Sequence, residues 1–162
     1  MEQIKEIPVE QIAYVDETGT DNYLFREYGW SERGKSLTGS VSGRKFKRTG
    51  IVAAQMAKAI IEPLQYSGTM DSSLFETWFE TRLLPSLPTN TLVVMDNAAF
   101  HRKNILFSLA ERAGIRLLFL PPYSPNLNPI ENFWAWLKRH LRKILPLHES
   151  FHAALHSAFQ VC

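Results

Sequence analysis

Three carboxylates, Asp16, Asp96 and Glu131, stand where a fold could present them together. Acidic oxygens converging from different elements are what a hard divalent cation takes as ligands. Asp96 closes the run Leu92, Val93, Val94, Met95, a short apolar segment of buried-strand type. An aspartate there is costly unless it is paired, hydrogen-bonded or holding a metal. Asp16 follows Ile12, Ala13, Tyr14 and Val15 and precedes Glu17, Thr18 and Gly19. The pattern predicts two strands that each finish in Asp where the backbone leaves the sheet. Central strand ends gather functional groups in α/β proteins, but Asp also builds turns, and the residues alone leave both readings open. Glu131 opens a predicted helix. Asn128 suits the N-cap, Pro129 the first helical position, and Glu131 falls three residues after the cap. That spacing approximates a capping box, in which the glutamate needs no metal. The alternative is a carboxylate on a rigid helix start, beside a strand-to-loop junction, binding a cation with the two aspartates.

Taken in order, YVDET around Asp16, VVMDNAAFH around Asp96 and LPPYSPNLNPIENFW around Glu131 resemble the three acidic motifs of the mariner superfamily of DDE transposases, especially its bacterial insertion-sequence branch. Between Asp96 and Glu131 lie 34 residues, a spacing that matches the Asp-Asp-Glu members. The third element is long and specific, DNAxxH less so, and DET alone carries no weight; together they cover roughly residues 12–142.

The resemblance implies a ribonuclease H-like fold and a two-step reaction: hydrolysis of DNA at the element's ends, then attack of the freed 3′ hydroxyl on target DNA, usually at TA, with no covalent enzyme intermediate. It also implies two ions of Mg²⁺ or Mn²⁺ during catalysis, about 4 Å apart, one on the attacking and one on the leaving oxygen. Asp16 would bridge them, and Asp96 and Glu131 would each complete one. Glu17 is the fallback for Asp16, although successive strand residues face opposite sides and only one can point inward. Asn97, His101 and Asn128 fall near the acids, with a structural role as the alternative for His101. The implied partners are double-stranded DNA, both transposon ends and target, and a second copy in a homodimeric synaptic complex. Full-length members carry helix-turn-helix modules ahead of the catalytic domain, and Met1 stands 15 residues before Asp16. The expectation is therefore a single catalytic domain over 1–162 without those modules, the DNA reader being a separate or frameshift-fused part. Two alternatives stay open: another ribonuclease H-like nuclease, such as a junction resolvase, and a non-catalytic DNA-binding remnant.

A length of 162 residues, 45% hydrophobic and 21% charged, fits one globular domain able to bury a core. No run approaches 18 apolar residues, and MEQIKEIPVEQ lacks the basic-then-apolar layout of a secretory signal. A cytoplasmic, nucleoid-associated protein without a membrane partner is expected. The single cysteine, Cys162, excludes an internal disulfide and a CxxC metal site. A net charge of +2 means that DNA contacts must come from local clusters. One comprises Arg33, Lys35, Arg44, Lys45, Lys47 and Arg48; the other, Lys138, Arg139, His140, Arg142 and Lys143, follows Glu131. Each can neutralise phosphates or form a solvated face.

The elements that must position these groups read as follows. Residues 11–16 form a strand, 19–22 a turn, 23–28 with Trp30 a second strand and 48–56 a third, in an antiparallel meander. The connection 31–47 is rich in glycine, serine and cations. Within it and just before, GWSERGKS at 29–36 fits a P-loop pattern, but LTGSVSG follows where a helix must open, so a phosphate cradle is rejected. Residues 57–68 are ambiguous between strand and loop. Asp71 or Ser73 caps a helix with Leu74, Phe75, Trp78, Phe79 and Leu83 in the core, ended by Pro85. After strand 92–95 comes a helix over 103–113, with Ile105, Leu106, Leu109, Ala110 and Ala113 inward and Gly114 at its end, then strand 115–120. This strand-helix-strand unit implies a parallel pair. Helices over 129 to about 145 and 149–160 complete the chain, the last burying Phe151, Ala154, Leu155, Ala158 and Phe159. Antiparallel strands followed by parallel ones, flanked by helices, describe a ribonuclease H-like mixed sheet. His148, His152 and His156, four apart, suggest either a zinc face or a polar helix face.

Overall fold

The computed structural model describes residues 4, 6–21, 48–122 and 127–161. Five strands, β1 (Ile12–Asp21), β2 (Arg48–Met56), β3 (Ala59–Ser67), β4 (Leu92–Met95) and β5 (Arg116–Phe119), form one sheet in the order β3-β2-β1-β4-β5. β1 pairs antiparallel with β2 and β2 with β3, whereas β1–β4 and β4–β5 are parallel. The mixed sheet expected from the sequence is present.

β1 is longer than expected. Gly19 and Thr20 do not turn; they pair with Gly50 and Thr49 of β2. Asp16 therefore does not end its strand. It lies in the middle of β1, one residue beyond Val15, whose pairing with Met95 is the last parallel contact with β4. The expected strand at 23–28 lies outside the described residues. Of residues 57–68, ambiguous between strand and loop in the sequence, 59–67 are strand. Val52 pairs with Leu64 and Ala54 with Ile61, so Glu62 and Pro63 together oppose Ala53 in a bulge. Proline has no N–H to lose there. Glu62 adopts a φ of 49°, and its carbonyl accepts the Trp78 indole N–H at 2.9 Å.

α1 (Ser72–Trp78) is capped by Asp71, which accepts the Leu74 amide at 2.8 Å, a contact worth about 1 kcal/mol. Pro85 does not end the helix as predicted. A π-helical turn, Phe79–Leu83, leads into a last turn, Leu84–Ser86, whose early positions tolerate proline's missing N–H. α2 (Lys103–Arg112) crosses over from β4 to β5. It stops at Gly114, φ 69°, through the paired bonds of a Schellman motif, Gly114 N–H to Glu111 O at 3.0 Å and Ile115 N–H to Ala110 O at 2.9 Å. Leu106, Leu109 and Ala110 are buried, but Ile105, expected inward, is exposed, since it lies about 100° around the helix from Leu106.

α3 (Ile130–Ile144) and α4 (Phe151–Gln160) cover the other face of the sheet. Ser150 caps α4 by accepting the Ala153 amide at 3.1 Å, so that helix starts later than residue 149. Ala13 and Val15 face α1 and α2, while Tyr14 faces α3 and α4, the two-residue alternation of a strand buried on both sides. Among the described residues no helix is long and apolar enough to cross a membrane.

Candidate active site

That alternation sorts the acids of β1. Asp16 points with Tyr14 toward α3, where its Oδ2 accepts the Trp134 Nε1–H at 3.0 Å. Asp96 directly follows β4; its Oδ1 accepts the Ala98 amide at 3.2 Å, so the turn-forming reading is correct in part. Its side chain is still 49% exposed, which leaves carboxylate oxygen open to ligands. Glu131 is exposed in the first turn of α3. Asp16 feels both neighbours: burial first, then Glu131, with a smaller push from Asp96, raise its carboxyl to about 7 against the opposing Glu17 amide and Trp134 indole. The middle of β1, the end of β4 and the start of α3 thus bring the three predicted acids to one flank of the sheet.

Glu17 goes the other way. It lines a 180 Å³ cavity with Gly19, Gly50, Tyr66, Met70 and Phe100, on the face of α1 and α2. Burial, then Asp96 and Asp16, push its carboxyl up to about 8.

The capping box is not formed. Pro129 is the N-cap, and no side chain caps α3. Asn128 is buried, and its Nδ2 donates to the Val15 carbonyl at 3.2 Å, where pairing between β1 and β4 stops. The amide thus satisfies a strand end instead of a helix end, and the Asn128 backbone oxygen accepts the Glu131 N–H at 3.2 Å. Asn128 Oδ1 is buried with no partner among the described residues.

His101 is buried between Phe75 and Phe100, at centroid separations of 4.5 and 4.4 Å. Its Nδ1 lies 3.3 Å from the Asp96 carbonyl oxygen and 3.7 Å from Oδ1. Burial lowers its pKa against the pull of Asp96, favouring the neutral ring. Both expectations for His101 meet here, a structural histidine that touches an acid of the site. Asn97 is exposed beside Asp96.

Among the DNA-contact candidates, Arg33, Lys35, Arg44, Lys45 and Lys47 lie outside the described residues, as does the P-loop-like stretch 29–36. Arg48 opens β2 opposite Asp21. Lys138 and Arg142 stand seven and eleven residues after Glu131, spacings that return to one helix flank. They therefore continue the line of Glu131 along α3, Lys138 half-buried and Arg142 exposed.

The three-histidine face does not exist. His148 follows a 3₁₀ turn, Leu145–Leu147, outside α4, with its Nδ1 2.9 Å from the Ile144 carbonyl oxygen. His152 Nδ1 lies 2.7 Å from Gln65 Oε1. Among the described residues no group of three His, Cys, Asp or Glu is closed up enough to hold a metal ion, and that includes the acids. A magnesium-like ion still fits the chemistry of the donors, because it takes hard oxygens, keeps several waters and needs only one or two carboxylates.

Trp134 was not foreseen from the sequence. It lies in the stripe Ile130, Trp134, Leu137, Leu141, which is buried. The available signal was that a buried indole N–H requires an acceptor, with acids near the helix start to provide one.

Residues 11–151 match the family described as DDE superfamily endonuclease. The chain belongs to that family. It is 32% identical over 81 residues to the Tcb1 transposase of Caenorhabditis briggsae, a match covering 48% of this chain and 30% of that one. With the Tc1 transposase of Caenorhabditis elegans the identity is 29% over 96 residues, covering 59% and 33%. The structure is similar to the Mos1 strand transfer complex, with a TM-score of 0.68 at 16% identity over 98% of this chain and 55% of the other. Mos1 paired-end complexes with Mn and with Mg give TM-scores of 0.64. The chain thus spans about a third of the curated transposases and about half of the Mos1 chain. Its five-stranded sheet and flanking helices are the ribonuclease H-like fold of a DDE endonuclease, a family that uses divalent metal.

Proposed function

We propose that this chain is the catalytic domain of an insertion-sequence transposase, cleaving DNA at transposon ends and joining the freed 3′ ends to target DNA at TA. The observation that carries this reading is the gathering of Asp16, Asp96 and Glu131 from three elements around one flank, where Asp16 is pushed up to about 7. Asp16, Asp96 and Glu131 would hold two ions of Mg²⁺ or Mn²⁺. When bound, such ions make the attacking oxygen nucleophilic and neutralise the leaving one.

The chain's own residues hold this set in place. The Ala98 amide and His101 fix the Asp96 turn, the first turn of α3 carries Glu131, and the Trp134 indole holds Asp16. In the first step water attacks phosphorus in line as the 3′ oxygen leaves; in the second that 3′ hydroxyl attacks a target phosphodiester, forming one P–O bond as another breaks. Neither step needs a covalent bond to protein. Lys138 and Arg142 would neutralise phosphates next to the scissile one, and Arg33, Lys35, Arg44, Lys45, Lys47 and Arg48 would serve the backbone elsewhere. The partners are double-stranded end and target DNA and a second copy in the synaptic complex. Relatives solved as Mos1 paired-end and strand transfer complexes support this assignment.

The test is nicking of transposon-end duplex by the parent and Asp96→Asn, with Mg²⁺, with Mn²⁺ and with chelator. The expected result is cleavage by the parent with either ion only. Equal cleavage by Asp96→Asn, or cleavage in chelator, would overturn the reading.

A further inference from the structure

We propose that Trp134 is a positioning residue for Asp16: an indole N–H fixed by the core sets the orientation in which this carboxylate meets a divalent cation. The inference rests on the functional reading above and adds a residue to its site.

Two features of the geometry carry it. First, the donor is packed in the core, whereas the acceptor is only partly buried. Trp134 is 1% exposed, in the stripe that seals α3 onto Ile51 and Ala53, with Phe133 at a centroid distance of 5.2 Å. The side chain of Asp16, in contrast, extends from a strand past its last pairing with β4. With a 3.0 Å bond to Oδ2, the carboxylate must follow the indole. A carboxylate offers about four lone-pair directions; the indole occupies one on Oδ2 and the Glu17 amide takes another, which leaves about two for a cation. Second, the frame is fixed from the same helix. Asn128 Nδ2 bonds the Val15 carbonyl at 3.2 Å, so the loop that opens α3 is tied to β1 one residue before Asp16. Trp134 and Glu131 share α3, three residues apart, so one rigid helix sets both the direction of Asp16 and the place of Glu131. Hydrogen-bonded partners of metal-binding carboxylates typically change metal affinity or activity by 10- to 100-fold when removed. Magnesium demands near-ideal octahedral geometry, and a misdirected carboxylate should therefore affect it strongly.

The experiment uses the full chain with Trp134→Phe, which keeps an aromatic ring without the N–H. A second variant carries benzothienylalanine at 134, an isostere with sulfur in place of N–H, in case phenylalanine underfills the core. Calorimetric titration with Mg²⁺ and with Mn²⁺, melting without metal, and nicking with each ion are measured alongside the parent and Asp96→Asn. Both Trp134 variants should lose about 10- to 100-fold in Mg²⁺ affinity, with a fall in kcat and little change in KM for DNA. The loss should be smaller in Mn²⁺, and the isostere should melt like the parent. Parental Mg²⁺ affinity and nicking in the isostere would overturn the inference while leaving the functional reading intact. So would equal losses with both ions accompanied by lowered melting, which indicates a packing role. If the parent neither binds the ions nor nicks, the functional reading fails, and this inference with it.

Discussion

Asp16 and Glu17 are neighbours in β1 with the same charge, and the pleat sends them into different surroundings. Asp16 faces α3, where it accepts an indole N–H and feels the charge of Glu131. Glu17 faces a small cavity under Tyr66, Met70 and Phe100. Both are raised, to about 7 and about 8, chiefly by burial. A raised pKa therefore does not by itself separate the two acids. Asp96 acts on both, whereas Glu131 acts on Asp16 and is absent from the influences on Glu17.

The largest contrast should be in cleavage. Asp16→Asn is expected to reduce nicking on the order of a thousandfold or more, since an amide is a poor ligand for a hard cation, while Glu17→Gln should cost less than about tenfold. Similar losses from the two variants would erase the distinction, and a larger loss from Glu17→Gln would invert it.

The next effect is on stability. Between about pH 4 and 8 the native chain holds protons on Asp16 and Glu17 that the unfolded chain has released, so this contribution is complete below the unfolded values and lost as pH rises through the native ones. The melting temperature of the metal-free protein should fall from pH 5 to pH 8. Asp16→Asn and Glu17→Gln should each flatten the slope, but Mg²⁺ at pH 8 should raise melting in the parent and in Glu17→Gln far more than in Asp16→Asn. A metal-free melting temperature that rises steadily over that range would contradict the pairing of burial with repulsion at these two acids.

The smallest effect concerns the flank beside Asp16. Lys138→Ala and Arg142→Ala should each weaken duplex binding modestly, without altering sequence preference, and lower the slope of log affinity against log salt by roughly one. An unchanged slope would remove these side chains from the DNA path.

The strand that ends before Asp96 and the parallel β4–β5 unit were legible because their signals are local: an apolar run ending in Asp and a helix stopped by Gly114. What was not legible depends on pairing between distant residues. β1 continues past Gly19 because Gly50 and Thr49 pair with it, and nothing near Gly19 announces that. Asn128 looked like a helix cap because cap preference is local, whereas its acceptor, Val15 O, lies 113 residues away. The partner of Trp134, Asp16 Oδ2, is likewise 118 residues away. Pro63 hid β3, since a bulge exists only against a particular partner strand.

The central claim is that Asp16, Asp96 and Glu131 act as one cation-binding set, and Glu131→Gln tests it most directly, because glutamine keeps the size of the side chain and removes its charge. No side chain caps α3, so the variant should melt like the parent and bind duplex DNA as the parent does. Nicking and strand transfer in Mg²⁺ should fall by several orders of magnitude. Near-parental cleavage by Glu131→Gln would contradict the assignment of Glu131 as the third acid.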